Sequence, residues 1–464
     1  MSLLFVWTIP RFFNLFLKPG IVYPLYGFRY FCLRAVRRMT NGRFIGLFGD
    51  SSYITGYLSR LGYRLKPIIQ TGTNFGMVVS HDVPYQVTIG SGTMVSDGLN
   101  LANAEFSSTS FRVRPTVVGR NVFVGNGVVF TPDAKVGDDC LLASHVLLPL
   151  SGEVRSGVGL LGSPAFEIPR AVDRDRSFSD VSSSPVRLAQ ALRAKRRFNT
   201  TTIVWFLLSH WFFAALTTML FVGAVDLLPG YGPAMLAGLY FLWPLLGALY
   251  FTVIERAIYG FKPMQPQFCS IYDPVFWRHE RFWKLGVGGL SIVSGTPSAS
   301  WVWRPLGVRV GRRLFDDGGL VIEKSLTTIG DNVTINAGVT LQAHSLEEGV
   351  FKSDRITIGD GCTLGPAAFL HYGTRVGHGA VIETEAFLMT GEDVSAGQRW
   401  YAKPARPVPA LVPAPVNVPP LEFTTTVPVL PARARMRVFS ATSAVASEPA
   451  AVPPSCTAIS RWRC

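Results

Sequence analysis

Acidic residues are scarce in this 464-residue chain: 30 Asp and Glu stand against 44 Lys and Arg, a formal charge of +14, and charged residues make up only 16%. Soluble domains carry about 25%. With 48% hydrophobic residues and a mean hydropathy of +0.28, a wholly water-solvated chain is excluded and a lipid bilayer is an expected partner. Cysteine is rare too. The six, at 32, 140, 269, 362, 456 and 464, form no CxxC pair and no metal-ligand spacing, which excludes a disulfide framework or a zinc-finger site and leaves a reduced, cytosol-facing setting. No basic stripe with interleaved aromatics is present. The basic residues cluster beside apolar segments, as in "RAVRR", "RAKRR" and "WRHERFWK", so no nucleic-acid partner is expected. The start, "MSLLFVWTIPRFFNLFLKPG", lacks the basic opening and small-residue cleavage site of a secretory signal.

What is present begins with two apolar runs, 202–228 and 231–254, each longer than the roughly 20 residues that cross a bilayer. Only Pro229 and Gly230 separate them, which predicts a tight transmembrane hairpin. Arg193, Lys195, Arg196 and Arg197 precede it, Arg256, Lys262, Arg278 and Arg281 follow it, and the turn carries no base. The positive-inside rule then puts both soluble parts of a multi-pass cell-membrane protein on the cytoplasmic side. His210, within the first run, reads as a neutral histidine hydrogen-bonded between helices.

A six-residue period runs through both halves. In the later half aliphatic residues stand at Ile329, Ile335 and Leu341, then at Ile358, Leu364, Leu370, Val376, Ile382 and Leu388. Val333, Cys362, Ala368, Thr374 and Ala380 take the fourth place beyond several of them. Such a period is neither that of a strand nor that of a helix. It marks a solenoid with one hexapeptide per flat face and three per triangular coil. The earlier half repeats the pattern 240 residues upstream: Ile89, Val95 and Leu101, then Val118, Val124, Phe130, Val136, Leu142 and Leu148. "NAEFSSTSFRVRP" interrupts it as "AHSLEEGVFKSDR" interrupts the later half. Cys140 and Cys362 read as small inward filler. The expected fold is mainly β: two tandem left-handed parallel β-helix (hexapeptide-repeat) domains joined by a two-helix transmembrane hairpin.

The domain reading is a truncated membrane helix or interfacial anchor with its elbow over 1–43, a β-helix over 44–172, and a linker with a basic, helical lead-in over 173–201. The hairpin follows over 202–259, then an elbow over 260–300, the second β-helix over 301–406, and a disordered Pro/Ala-rich tail over 407–464.

Coils stack about 4.8 Å apart, so Leu341 should lie beneath Leu370, bringing His344 and His371 to one edge of the prism. The excursion "SLEEGVFKSDR" leaves from that edge. A histidine there can act as general base for attack of an amine or hydroxyl on a thioester, with backbone N–H groups holding the oxyanion. His344 is the expected base and His371 its orienting or substrate-binding companion. Glu347, Glu348, Lys352, Asp354 and Arg355 are expected substrate contacts on the loop. His371 and His378 fall on different faces, so no metal site is expected. The earlier prism has Ala104 and Thr131 in place of His344 and His371.

"GSGTMVSDGLNLANAEFSSTSFRV", "GLLGSPAFEIPR", "GVRVGRRLFDDG" and "LQAHSLEEGVFKSDRITIGDGCTLG" resemble the membrane-embedded C-terminal region of ε-poly-lysine-synthetase-like nonribosomal peptide synthetases, over about residues 18–406. More distantly, "AHS", a loop and "ITIGDGCTLG" resemble hexapeptide acetyltransferases, where a histidine ahead of the loop is the base. The resemblance implies an acyltransferase forming amide bonds from carrier-bound aminoacyl thioesters. No tightly bound cofactor is implied; the donor is a phosphopantetheine-linked thioester on a carrier protein or CoA. An adenylation and carrier protein and a homo-oligomer are implied partners. Two such domains stand here rather than three, and adenylation motifs are absent, so the donor must come from elsewhere. A conventional acetyl-CoA-dependent transferase and a non-catalytic membrane scaffold for a synthetase are the alternative readings.

Overall fold

The computed structural model describes residues 2–65, 75–76, 78–132, 134–148, 154–170, 181, 184–232, 234–286, 293–347 and 349–408. Glu348, most of the polar linker and the tail from 409 lie outside them.

The six-residue rhythm folds into coils of parallel strands. In the later half one face stacks Arg309–Val310, Thr327–Ile329, Ile356–Ile358, Arg375–Val376 and Asp393–Val394. The other two faces stack in the same sense. Ile358 pairs with Val376, three hexapeptides further on, as a three-faced coil requires. The aliphatic residue of each hexapeptide is buried, removing side chains worth about 1.5–3 kcal/mol each from water. Cys362 fills the inward place, its thiol donating to Gly377 O. The earlier half stacks likewise, with Val87–Ile89, Thr116–Val118 and Lys135–Val136 on one face. It has a core of its own. Corners pass close to one another: a Cβ on Gly359 would lie 2.8 Å from His378 N.

The excursion expected as an extruded loop is instead an antiparallel hairpin, His344–Glu347 with Val350–Ser353, turning at Gly349 with φ +82°. Its exposed edge is covered by Gln267–Ser270 from the elbow. Leu346 and Phe351 are the reason, since they have somewhere to go: both are buried against Ile271, Phe276 and Trp277. The earlier half repeats this design, with Ala104–Phe106, Ser110–Val113 and Tyr23–Pro24 as the three strands.

Eight helices complete the described chain: α1 (Leu3–Asn14), α2 (Phe28–Thr40), α3 (Arg43–Phe48), α4 (Ile54–Leu61), α5 (Pro185–Tyr231), α6 (Ala234–Ile258), α7 (Pro274–Leu285) and α8 (Ala299–Leu306). By length and composition α5 and α6 could cross a membrane. The turn between them is not at Pro229 and Gly230 as the sequence suggested; α5 runs through both and ends before Gly232, at φ +59°. The two helices pack together, Tyr250 OH donating to Ser209 O at 2.8 Å. His210 bonds within its own helix, to Phe206 O at 2.8 Å, rather than across to α6.

Candidate active site

Helix α7 begins on Asp273, whose carboxylate accepts from Val275 N at 2.8 Å, with Pro274 in the first turn. Residues four apart on a helix share a face, so α7 presents two pairs side by side: buried His279 with half-buried Trp283, and Glu280 with Lys284, both buried. The first pair meets the prism corner that carries Glu323 and His344.

Glu323 is fully buried and accepts four hydrogen bonds. His344 Nδ1 (2.7 Å), Trp283 Nε1 (2.8 Å) and His279 Nε2 (3.1 Å) reach Oε1, and Ala343 N reaches Oε2 at 2.9 Å. Burial alone would raise this carboxyl, but the two histidines, His344 foremost, hold it well below the ordinary carboxylate range. Because Glu323 claims the Nδ1 proton of His344, the neutral ring presents Nε2 as a base. That nitrogen makes no hydrogen bond among the described residues. The ring packs beside Trp283, at 4.5 Å between centroids, and lies 6.0 Å from Phe351. His279 donates from Nε2 to Glu323 and accepts at Nδ1 from Tyr259 OH, 3.1 Å away. Burial keeps it neutral, against the pull of Glu323. His279, Glu323 and His344 could each offer a ligand atom to one ion, but the donors converging on the carboxylate already account for their arrangement.

Gln342 is in register with His371 on the next coil. Its side chain donates to His344 O at 3.1 Å and accepts from Asn126 of the earlier prism at 2.7 Å. His371 is bonded through Nδ1 to Thr390 Oγ1 at 2.7 Å. Burial, then the charges of His344 and Lys352, push it down to about 3 from the usual 6.5. Its folded value lies below its unfolded one, so its contribution to stability is complete above about pH 6.5 and is lost as the pH falls toward about 3. Denaturation midpoints at pH 7.5 and pH 5 should therefore differ, and His371→Gln should narrow the gap.

These groups open onto a cavity of about 440 Å³. A triangular solenoid has no hollow of its own; this one lies between the two prisms, Phe123, Asn126, Leu141 and Ser144 facing Gln342, His344, His371 and Phe387. His344 and His371, named from the sequence, are thus brought together. Lys352, Asp354 and Arg355 do not line the cavity: Lys352 is buried in the hairpin, and Asp354 and Arg355 are exposed behind it. Glu347 ends the outer strand. Sequence reasoning missed His279, Trp283, Glu323 and Asn126. One signal was available for Glu323: Val321 is in register with Leu341, which places position 323 over position 343, beside His344.

The earlier prism keeps this architecture without its chemistry. Its hairpin and covering strand set Phe111 against Tyr23 as the later one sets Phe351 against Cys269. On that register Leu33 of α2 stands for His279, Val83 for Glu323 and Ala104 for His344. All three are buried together in one apolar cluster. Asn103 closes the corner, its side chain bonded at 2.9 Å to both the N–H and the carbonyl of Val83.

Comparison with known proteins adds the following. The family described as "Bacterial transferase hexapeptide (six repeats)" matches residues 115–149, and "Hexapeptide repeat of succinyl-transferase" matches residues 355–388. A hexapeptide-repeat acetyltransferase from Vibrio cholerae is 20% identical, covering 22% of this chain and 62% of its own, with a TM-score of 0.21. A serine acetyltransferase from Neisseria gonorrhoeae is 17% identical over 50% of this chain and 75% of its own, with a TM-score of 0.22. Delta-poly-L-ornithine synthetase of Acinetobacter baumannii (strain AB307-0294) is 22% identical over 374 residues, 78% of this chain, and the match spans 27% of that protein. The resemblance drawn from the sequence therefore holds: the chain carries two hexapeptide-repeat segments with a helical segment between them and is similar to an ε-poly-lysine-synthetase-like enzyme.

Proposed function

We propose that the chain is a membrane-bound acyltransferase that forms an amide from an acyl group delivered as a phosphopantetheine-linked thioester. The observation that carries this reading is His344 at the wall of a cavity, bonded from behind to the buried Glu323. His344 Nε2 takes a proton from the attacking amine as its nitrogen bonds to the thioester carbonyl. Glu323 holds the resulting imidazolium in place. The C–S bond then breaks with its electron pair going to sulfur, and a proton, matching the one taken by His344, ends on the sulfur, giving amide and free thiol. The earlier prism contributes a wall and the Asn126–Gln342 contact but no second reaction centre. On this reading both coils are left-handed, and residues of the earlier prism face His344 across the cavity. The test is direct: the chain in lipid vesicles, given acyl-CoA or acyl-carrier thioesters and an amine, should release thiol and amide in equal amounts. Binding of a synthetase without thiol release from either donor would instead support the scaffold.

On this reading α5 and α6 form a transmembrane hairpin with both prisms on the cytoplasmic side, next to the basic flanks. Helix α1 belongs in the same bilayer. It packs on α2 and α4 as the end of α6 packs on α7 and α8, and Leu4 (70%), Leu15 (71%) and Val22 (59%) are exposed in and after it. The first 49 residues carry seven Lys and Arg and no acid, which suits an anionic lipid surface. A nitroxide attached through Leu15→Cys should be reached by oxygen and shielded from a water-soluble relaxant; the reverse would place α1 in water.

A further inference from the structure

Asp50 occupies the corner between α3 and α4, at φ +48° and 5% exposed, and lines the same cavity as His344. The corner is locked from behind, since a Cβ on Gly49 would stand 2.1 Å from Gly76 O. Among the described residues the Asp50 carboxyl makes no hydrogen bond, so a buried acid faces the cavity with its bonding capacity unused, which is costly unless a ligand meets it.

Four charged groups surround it. Asp97 also lines the cavity, its Oδ1 tied to Val78 N at 3.0 Å and Gly98 N at 2.8 Å. From α7 comes Lys284, whose Nζ donates to Gly46 O at 3.0 Å and Gly49 O at 2.6 Å. Beyond it lie Glu280 of α7 and Lys195 of α5, paired at 2.9 Å. Burial, then the charge of Asp97, push the Asp50 carboxyl up to about 7 against the pull of Lys284 and Lys195. Burial also drives Lys284 down to about 8 and Glu280 up to about 8.

Building on the thioester aminolysis assigned above, we propose that Asp50 is the proton donor of the reaction, protonating the departing sulfur while His344 accepts the proton of the attacking amine. As the amine nitrogen bonds to the carbonyl carbon, its N–H proton passes to His344 Nε2. As the C–S bond breaks, its electron pair goes to sulfur, which takes the Asp50 proton and leaves as thiol. Imidazolium and carboxylate are reset when the proton returns from His344 to Asp50 through water. The match is chemical: an alkyl thiol ionises near 8.5, so an acid poised near neutrality can deliver its proton to the thiolate.

A leaving group that needs no proton separates this role from a structural one. Asp50→Asn should lose about 100-fold in kcat with an alkyl thioester, the lower end of general-acid contributions, and only a few-fold with a thiophenyl ester of the same acyl group. Equal losses with both esters, or no loss with the alkyl one, would overturn the assignment. Asp97→Asn gives a second reading that leaves Asp50 in place. Removing the Asp97 charge lowers the Asp50 pKa, so the alkaline limb of the kcat profile should move to lower pH; an unmoved limb overturns the role even if Asp50→Asn fails to fold. A wild-type chain that cleaves neither ester would sink the aminolysis reading itself, and this proposal with it.

Discussion

Glu323→Gln should cost the chain nearly all of its transfer activity. Four donors converge on this carboxylate, three of them on Oε1. An amide keeps one acceptor oxygen and turns an N–H₂ group on whatever faces the other position, so at least one buried donor meets another donor. His344 then loses either the acceptor that fixes its tautomer or the charge that stabilises its imidazolium. A fall of about 10²–10⁴ in kcat is expected, the range of acid–base contributions. Glu323→Ala should also destabilise the fold, because each orphaned buried donor costs about 1–3 kcal/mol against a total stability of about 5–15 kcal/mol. Steady-state kinetics beside a denaturation curve would check both; a Gln variant within threefold of wild type would remove Glu323 from the mechanism.

His344→Ala should be as damaging to the rate while the chain still folds. The earlier prism carries Ala104 at the matching position and retains the same hairpin and covering strand, with Val83 rather than a carboxylate beside it. Alanine is therefore compatible with the backbone of the corner, but in the later prism it takes from the buried Glu323 its 2.7 Å partner, so the loss of about 10²–10⁴ in kcat should come with a lowered denaturation midpoint. KM for the thioester should move little, since the base acts on the amine proton rather than on donor binding.

The prisms were legible because a six-residue period admits few structures and because an aliphatic residue must point inward at every sixth place. That rhythm also gave the register. Leu341 does pair with Leu370, which is why the sequence alone puts His344 and His371 on one edge. The rest of the site arrives from far along the chain. "WRHERFWK" reads as charge flanking a membrane span, yet in α7 His279, Glu280 and Lys284 are all buried, because their partners lie on α5, on the prism corner and on the α3–α4 turn. The cavity itself has no local signal: Asn126 and Gln342 are far apart in sequence and meet only when the two prisms pack. The excursion misread as a loop is a strand pair for a similarly distant reason, its covering strand coming from the elbow.

Rescue of His344→Ala by added imidazole, read as thiol release from an acyl-pantetheine thioester in lipid vesicles, tests the account at its centre. The expected result is a variant that is folded and nearly silent, recovering activity saturably as imidazole fills the vacated place beside Trp283 and Phe351. A His344→Ala chain that turns over at the wild-type rate without imidazole would contradict it.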